Sequence, residues 1–94
     1  MDVIVYTKEH CPRCGALLDF LNKNKVPYLE KRIEDDLVIR ELLTYEYIRE
    51  NFCDEKSCLV LTPVLNIDGE WMHKQIFDVG GFNEKKAKKL FKIK

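Results

Sequence analysis

The chain has 94 residues, and 16 lysines and arginines balance 16 aspartates and glutamates. Apolar residues make up 46% and charged residues 34%, the proportions of one globular domain over 1–94 with a modest core. No apolar run approaches the length of a membrane span, Met1-Asp2-Val3-Ile4 lacks the pattern of a secretory leader, and neither the charge balance nor any interleaving of aromatic and basic residues calls for nucleic acid. The expected setting is a reducing cytoplasm, with the chain acting as a monomer.

Val3-Ile4-Val5-Tyr6 is apolar without alternation, which predicts a first, central strand over 3–6. A helix over 13–23 follows, with Leu17, Leu18, Leu21 and Phe20 on one face at helical spacing. The polar run Asn22-Lys23-Asn24-Lys25 ends it. Residues 26–32 form a weaker second strand, parallel to the first because the helix serves as the crossover. The periodic stretch 35–51 predicts one long helix, with Leu37, Ile39, Leu42, Leu43, Tyr47 and Ile48 in an apolar stripe and Asp35 and Asp36 at its start. Residues 52–58 break the pattern as a loop. Val64-Leu65-Asn66-Ile67 is a strand, Asp68-Gly69 a tight hairpin turn, and 70–74 the return strand, with His73 on its surface. Gly80-Gly81 is a flexible turn, and Asn83 caps a last helix that turns Ala87, Leu90 and Phe91 inward. The six lysines of 83–94 against one glutamate read as a solvated helix face or as a contact for an acidic partner.

Cys11-Pro12-Arg13-Cys14 stands where the first strand hands over to the first helix. A Cys-x-x-Cys pair in such a βα setting points to dithiol–disulfide exchange. Unpaired N–H groups of the first helical turn, with the helix dipole behind them, stabilise a thiolate. Cys11 lies nearest the helix start and is the expected attacking thiol, and Cys14 is placed to resolve the mixed disulfide. Pro12 starts the helix without wasting a donor. Arg13 and Lys8 add positive charge beside the pair, and His10 either tunes the thiol or is an exposed loop residue.

Two alternatives stand beside this reading. The cysteines could ligate a metal or an iron–sulfur cluster, with Cys53 and Cys58 as further ligands, although the second pair lacks the compact two-residue spacing of a zinc site. The chain could also be an adaptor that binds extended peptides beside Pro63 without catalysis. Thr62-Pro63 opens a strand either as an ordinary edge or as a fixed turn that frees the Thr62 backbone to pair with substrate. Cys53 and Cys58 are open between a second redox pair, free thiols and ligands. Gly80-Gly81 with Asn83-Glu84 lacks every phosphate-loop pattern and reads as a turn with a cap, or as a perch for a carboxylate.

Taken together, these residues resemble the glutaredoxin family of the thioredoxin-like superfamily, most specifically in Tyr6-Thr7-Lys8-Glu9-His10-Cys11-Pro12-Arg13-Cys14. The resemblance implies an α/β, thioredoxin-like domain: a four-stranded mixed sheet with three helices in the order β-α-β-α-β-β-α. It implies a nucleophile at Cys11, a resolving thiol at Cys14, and a cis proline at Pro63. Lys8, Arg13, Thr62, Pro63, Gly80, Gly81, Asn83 and Glu84 fall on its glutathione or substrate contacts. Three features depart from the family pattern: Arg13 replaces the usual tyrosine, Leu61-Thr62 replaces threonine-valine, and the stretch between Asp68-Gly69 and Gly80-Gly81 is longer. The expected activity reduces protein disulfides or glutathione mixed disulfides with no bound cofactor and no metal. Glutathione, or alternatively a thioredoxin reductase, restores the dithiol.

Overall fold

A computed structural model describes residues 1–58 and 61–93. Ten elements follow one another: β1 (Val3–Thr7), α1 (Pro12–Lys23), β2 (Leu29–Arg32), α2 (Asp36–Leu42), α3 (Glu46–Asn51), β3 (Val64–Ile67), β4 (Glu70–Met72), β5 (Phe77–Asp78), β6 (Gly81–Phe82) and α4 (Glu84–Leu90). β1 to β4 form a four-stranded mixed sheet in the order β2-β1-β3-β4. β1 runs parallel to β2 and antiparallel to β3, and β3 pairs antiparallel with β4, as expected from the element order.

The period of two along each strand sorts the core into two layers. Val3 and Val5 of β1, with Leu65, Ile67 and Met72, face Leu17, Phe20 and Leu21 of α1 and Ala87 and Phe91 at α4. Tyr6 and Val64 face the other way, against Ile33, Leu42, Ile48 and Phe52. The central strand lacks polar alternation because both its faces are covered. Asp68 and Gly69 carry φ of 51° and 92°, the left-handed pair that a tight hairpin between β3 and β4 requires.

The single long helix expected over 35–51 is two helices, so the fold has four helices among the described residues rather than three. The N–H groups of Thr44 and Tyr45 turn to the carbonyls of Glu41 and Leu42, three residues back, which tightens the chain out of α geometry. The Thr44 hydroxyl also donates to the Glu41 carbonyl at 2.6 Å. Tyr45 is extended, and its ring packs edge-on against Trp71 with centroids 5.1 Å apart. The Arg49 guanidinium reaches back to the Leu43 carbonyl at 2.6 Å. The expected apolar stripe is interrupted accordingly: Leu42 and Ile48 are fully buried, whereas Leu37 and Tyr47 are exposed.

Three further corrections concern the sheet and its edge. β2 begins at Leu29 and not at 26. The return strand ends at Met72 instead of reaching 74. Gly80 stands in a turn as expected, but Gly81 opens the second strand of a small ribbon, β5 paired with β6 through Phe77–Phe82 and Asp78–Gly81. Gly81 has φ of 105°, a conformation that a side chain resists. Phe77 and Phe82 pack with tilted rings, centroids 5.6 Å apart, and Phe82 ties this ribbon edge-on to Phe20 of α1.

Candidate active site

β1 ends in a loop, Lys8-Glu9-His10, that delivers the chain to α1. Neighbours along β2 hold this loop. The Ile33 N–H donates to the Thr7 carbonyl at 2.9 Å, and the Thr7 hydroxyl donates to Glu30 at 2.7 Å. The Glu9 N–H donates to the Glu34 carboxylate at 2.5 Å, and this bond, with Arg32 alongside, holds the Glu34 carboxyl below the usual carboxylate range. His10 adopts φ of 56°, which turns the chain into the helix.

Cys11 is the N-cap of α1, and Pro12 opens the helix. The Cys11 sulfur accepts the Cys14 backbone N–H at 3.1 Å and stands 3.4 Å from the Thr62 hydroxyl. No acidic residue lies in the first turn of α1 to compete for the positive end of its dipole. Cys11 is partly exposed and Cys14 is buried. The two are joined as a disulfide with Cα atoms 5.3 Å apart. A sulfur at the surface with donors aimed at it, and a second one turn further in, have the form of an exchange site.

The structure gathers Lys8, His10, Cys11, Arg13 and Thr62 around one open depression. His10 is exposed there and lies 3.7 Å from the Glu9 carboxylate. Pro63 follows Thr62 through a cis peptide bond and is buried. Gly80, Gly81, Asn83 and Glu84 do not line this depression. The Gly80 N–H donates to the Asp78 carboxylate at 3.0 Å, and the Asn83 amide donates to its other oxygen at 2.9 Å. These bonds hold the Asp78 carboxyl below its ordinary pKa, Asn83 first and Gly80 second. Asn83 also caps α4 by accepting the Lys86 N–H at 3.1 Å, as its position suggested. Glu84 borders a different hollow with Ala16 and Phe82.

His73 is the residue that sequence reasoning misplaced. It is buried, not on the surface, and its Nδ1 lies 2.8 Å from the Pro63 carbonyl. A carbonyl only accepts, so Nδ1 carries the proton. The ring stacks on Phe77 with centroids 4.9 Å apart and meets Phe52 edge-on. Burial pushes its pKa below the ordinary value of 6.5, and the nearby charges of Arg13 and Lys74 push the same way. Alternation along a strand could not reveal this, because β4 has ended before His73. Glu34 also escaped sequence reasoning, since only the fold brings the Glu9 N–H near it; Asp78 escaped it too, although its partners Gly80 and Asn83 are close in the chain.

Cys53 and Cys58 are joined as a second disulfide, Cα atoms 3.9 Å apart, across an isolated antiparallel bridge. No cluster of three metal-ligating side chains occurs among the described residues. Among those residues, no helix is long and apolar enough to cross a membrane.

This arrangement of a mixed sheet, a Cys-x-x-Cys helix start and a facing cis proline defines a thioredoxin-like thiol–disulfide oxidoreductase. The glutaredoxin family profile matches residues 3–72, and the chain belongs to that family. Among solved structures it is similar to the thioredoxin-like protein BC3987, at 30% identity and a TM-score of 0.63, covering 95% of this chain and 99% of that one. Glutaredoxin 1 from Francisella tularensis, complexed with cacodylate, shares 25% identity at a TM-score of 0.56, over 98% of this chain and 95% of its own. A glutaredoxin from Archaeoglobus fulgidus, at 20% identity and a TM-score of 0.63, shares the fold over 96% of this chain and 85% of its own. Among curated proteins none matches the chain.

Proposed function

We propose that Cys11 is the attacking thiolate and Cys14 the resolving thiol in the reduction of protein disulfides or glutathione mixed disulfides. In the first step the Cys11 thiolate attacks one sulfur of the substrate, the substrate S–S bond breaks, and the departing thiolate takes a proton. The Cys14 thiolate then attacks the Cys11 sulfur and frees the second substrate thiol, which is also protonated. The substrate gains two electrons and two protons, and the protein is left as the Cys11–Cys14 disulfide. An external thiol or a reductase returns the electrons.

The observation that carries this assignment is the inequality of the two sulfurs. Cys11 is reachable, accepts the N–H of Cys14 and faces Thr62, whereas Cys14 is 4% exposed. An N–H aimed at the sulfur favours its charged form, and burial keeps Cys14 in reserve. Lys8 and Arg13 border the depression and suit the carboxylates of glutathione, which supports it as reductant. A flavoprotein reductase is the second source of electrons, favoured by the departures at Leu61-Thr62 and in the longer stretch between Asp68-Gly69 and Gly80-Gly81. Cys53 and Cys58 are a further candidate redox pair.

The test is turnover of a mixed-disulfide substrate by the wild type, Cys11→Ser and Cys14→Ser. Cys11→Ser should show no rate above the uncatalysed reaction. Cys14→Ser should retain a monothiol route on glutathione mixed disulfides and lose most of its rate on protein disulfides. Equal rates for Cys11→Ser and wild type overturn the assignment. Supplying glutathione alone or a thioredoxin reductase with its reductant then distinguishes the electron source.

A further inference from the structure

The depression over Cys11 adjoins a second, larger groove. Arg13 borders both, and Leu61, which precedes Thr62, lies in the second. The groove has a volume of ≈ 430 Å³, and its walls combine Leu61, Phe77 and Val79 with the cations Arg13, Lys74 and Lys86. The three cations arise from separate elements: the first turn of α1, the β4–β5 connection and the first turn of α4. All three are exposed, and none of them forms an ion pair among the described residues.

Asp78 also lines this groove, but its two oxygens are already bonded to the Gly80 N–H and the Asn83 amide. Val79 stands uncovered at the tip of the β5–β6 hairpin. The whole chain has no net charge, so the concentration of cations beside the nucleophile is local. Basic side chains set among uncovered apolar ones complement an extended chain bearing carboxylates and apolar side chains.

We propose that this groove binds an acidic, extended segment of a protein substrate, flanking the cysteine whose disulfide Cys11 attacks. This rests on the exchange reading above and names the substrate class for the same site. Arg13 takes the carboxylates nearest the reacting sulfur, and Lys74 and Lys86 take those further along. Leu61 and Val79 cover apolar side chains between them. The cations raise the rate of productive encounter more than they change the chemistry at sulfur.

The probes are three peptides that differ only in residues flanking a single cysteine: glutamate, glutamine or lysine. Each cysteine carries 2-mercaptoethanol as an uncharged disulfide partner. The reduced protein is mixed with each peptide in a single turnover, so no added reductant is needed. Cys11 attacks the peptide sulfur, 2-mercaptoethanol leaves, and Cys14 releases the peptide thiol. The glutamate peptide should react at least about tenfold faster than the lysine peptide at low ionic strength, with the gap narrowing in high salt. Lys74→Glu and Lys86→Glu together should shrink or invert that ratio. The ratio is read within each protein, so any change in Cys11 reactivity cancels. Equal rates for the three peptides, or a ratio that survives both substitutions, overturns the proposal. Failure of the wild type to react even with bis(2-hydroxyethyl) disulfide instead refutes the exchange reading beneath it.

Discussion

His73 shows how one side chain can join the Thr62-Pro63 segment to the core. Its Nδ1–H meets the Pro63 carbonyl at 2.8 Å, and Pro63 adjoins Thr62, whose hydroxyl faces Cys11. Folding lowers the pKa of this imidazole, with burial as the main cause, the Pro63 hydrogen bond opposing it and Arg13 and Lys74 adding to it. The sign of the pH effect follows. The unfolded chain binds a proton near the ordinary pKa of 6.5, and the folded chain does so only at lower pH. Between those points the unfolded state carries more protons, so stability falls as pH drops below about 6.5. The melting temperature of the wild type should therefore decline from pH 7 towards pH 5. His73→Asn keeps a donor for the Pro63 carbonyl and removes the titration, and it should flatten that decline. Glu34 and Asp78, whose carboxyls are depressed, lose their contributions only at more acidic pH and do not obscure the window. An unchanged slope in His73→Asn would remove His73 from this role.

At the scale of elements, short pieces depend on side chains that close their ends. α4 has seven residues, too few to be stable by itself, and it leans on Ala87 and Phe91 in the core. Asn83 closes it at one end through the Lys86 N–H and binds the β5–β6 turn through Asp78. Replacing Asn83 with alanine removes the cap, a loss of about 1 kcal/mol, and frees one Asp78 oxygen. Urea unfolding at neutral pH should record that loss as a lower midpoint with an unchanged slope. Asn83→Asp retains a capping oxygen but sets a second carboxylate against Asp78, so it should not restore the full stability. The break between α2 and α3 follows the same logic. Thr44 and Arg49 occupy the carbonyls that a continuous helix would have used, and Tyr45 turns aside to meet Trp71.

Across the whole molecule, the sheet separates two cores, and the two cysteine pairs adjoin segments that pack in different ones. α1 carries Cys11 and Cys14 and packs on one face; α3 leads into Cys53 after packing Ile48 and Phe52 on the other. Phe52 also meets His73 edge-on, which connects the second disulfide loop to the groove through packed rings. Oxidised protein should yield a Cys53–Cys58 peptide in a non-reducing map, and in graded reduction the partly exposed Cys11 should be alkylated before Cys14. If Cys53 and Cys58 both stay open to alkylation once Cys11–Cys14 has closed, they are not a second redox pair.

Local order was sufficient for much of this protein. The apolar run of β1, the Cys-x-x-Cys at a helix start, the Asp68-Gly69 turn and the Asn83 cap are interactions among residues a few positions apart, so they were legible in the sequence. The same holds for Lys8, Arg13 and His10, which accompany Cys11 along the chain. The split of α2 from α3, the packing of the β5–β6 ribbon on Phe20, the burial of His73 and the meeting of Arg13, Lys74 and Lys86 depend on groups far apart in sequence. Periodicity favours a continuous helix through Leu43, and only Trp71 across the sheet gives Tyr45 a reason to leave it. His73 has no strand pattern to mark it, because its burial comes from Phe52, Pro63 and Phe77 closing around it. Short-range geometry is written in neighbouring residues, whereas burial and charge clustering arise only when the folded chain brings distant surfaces together.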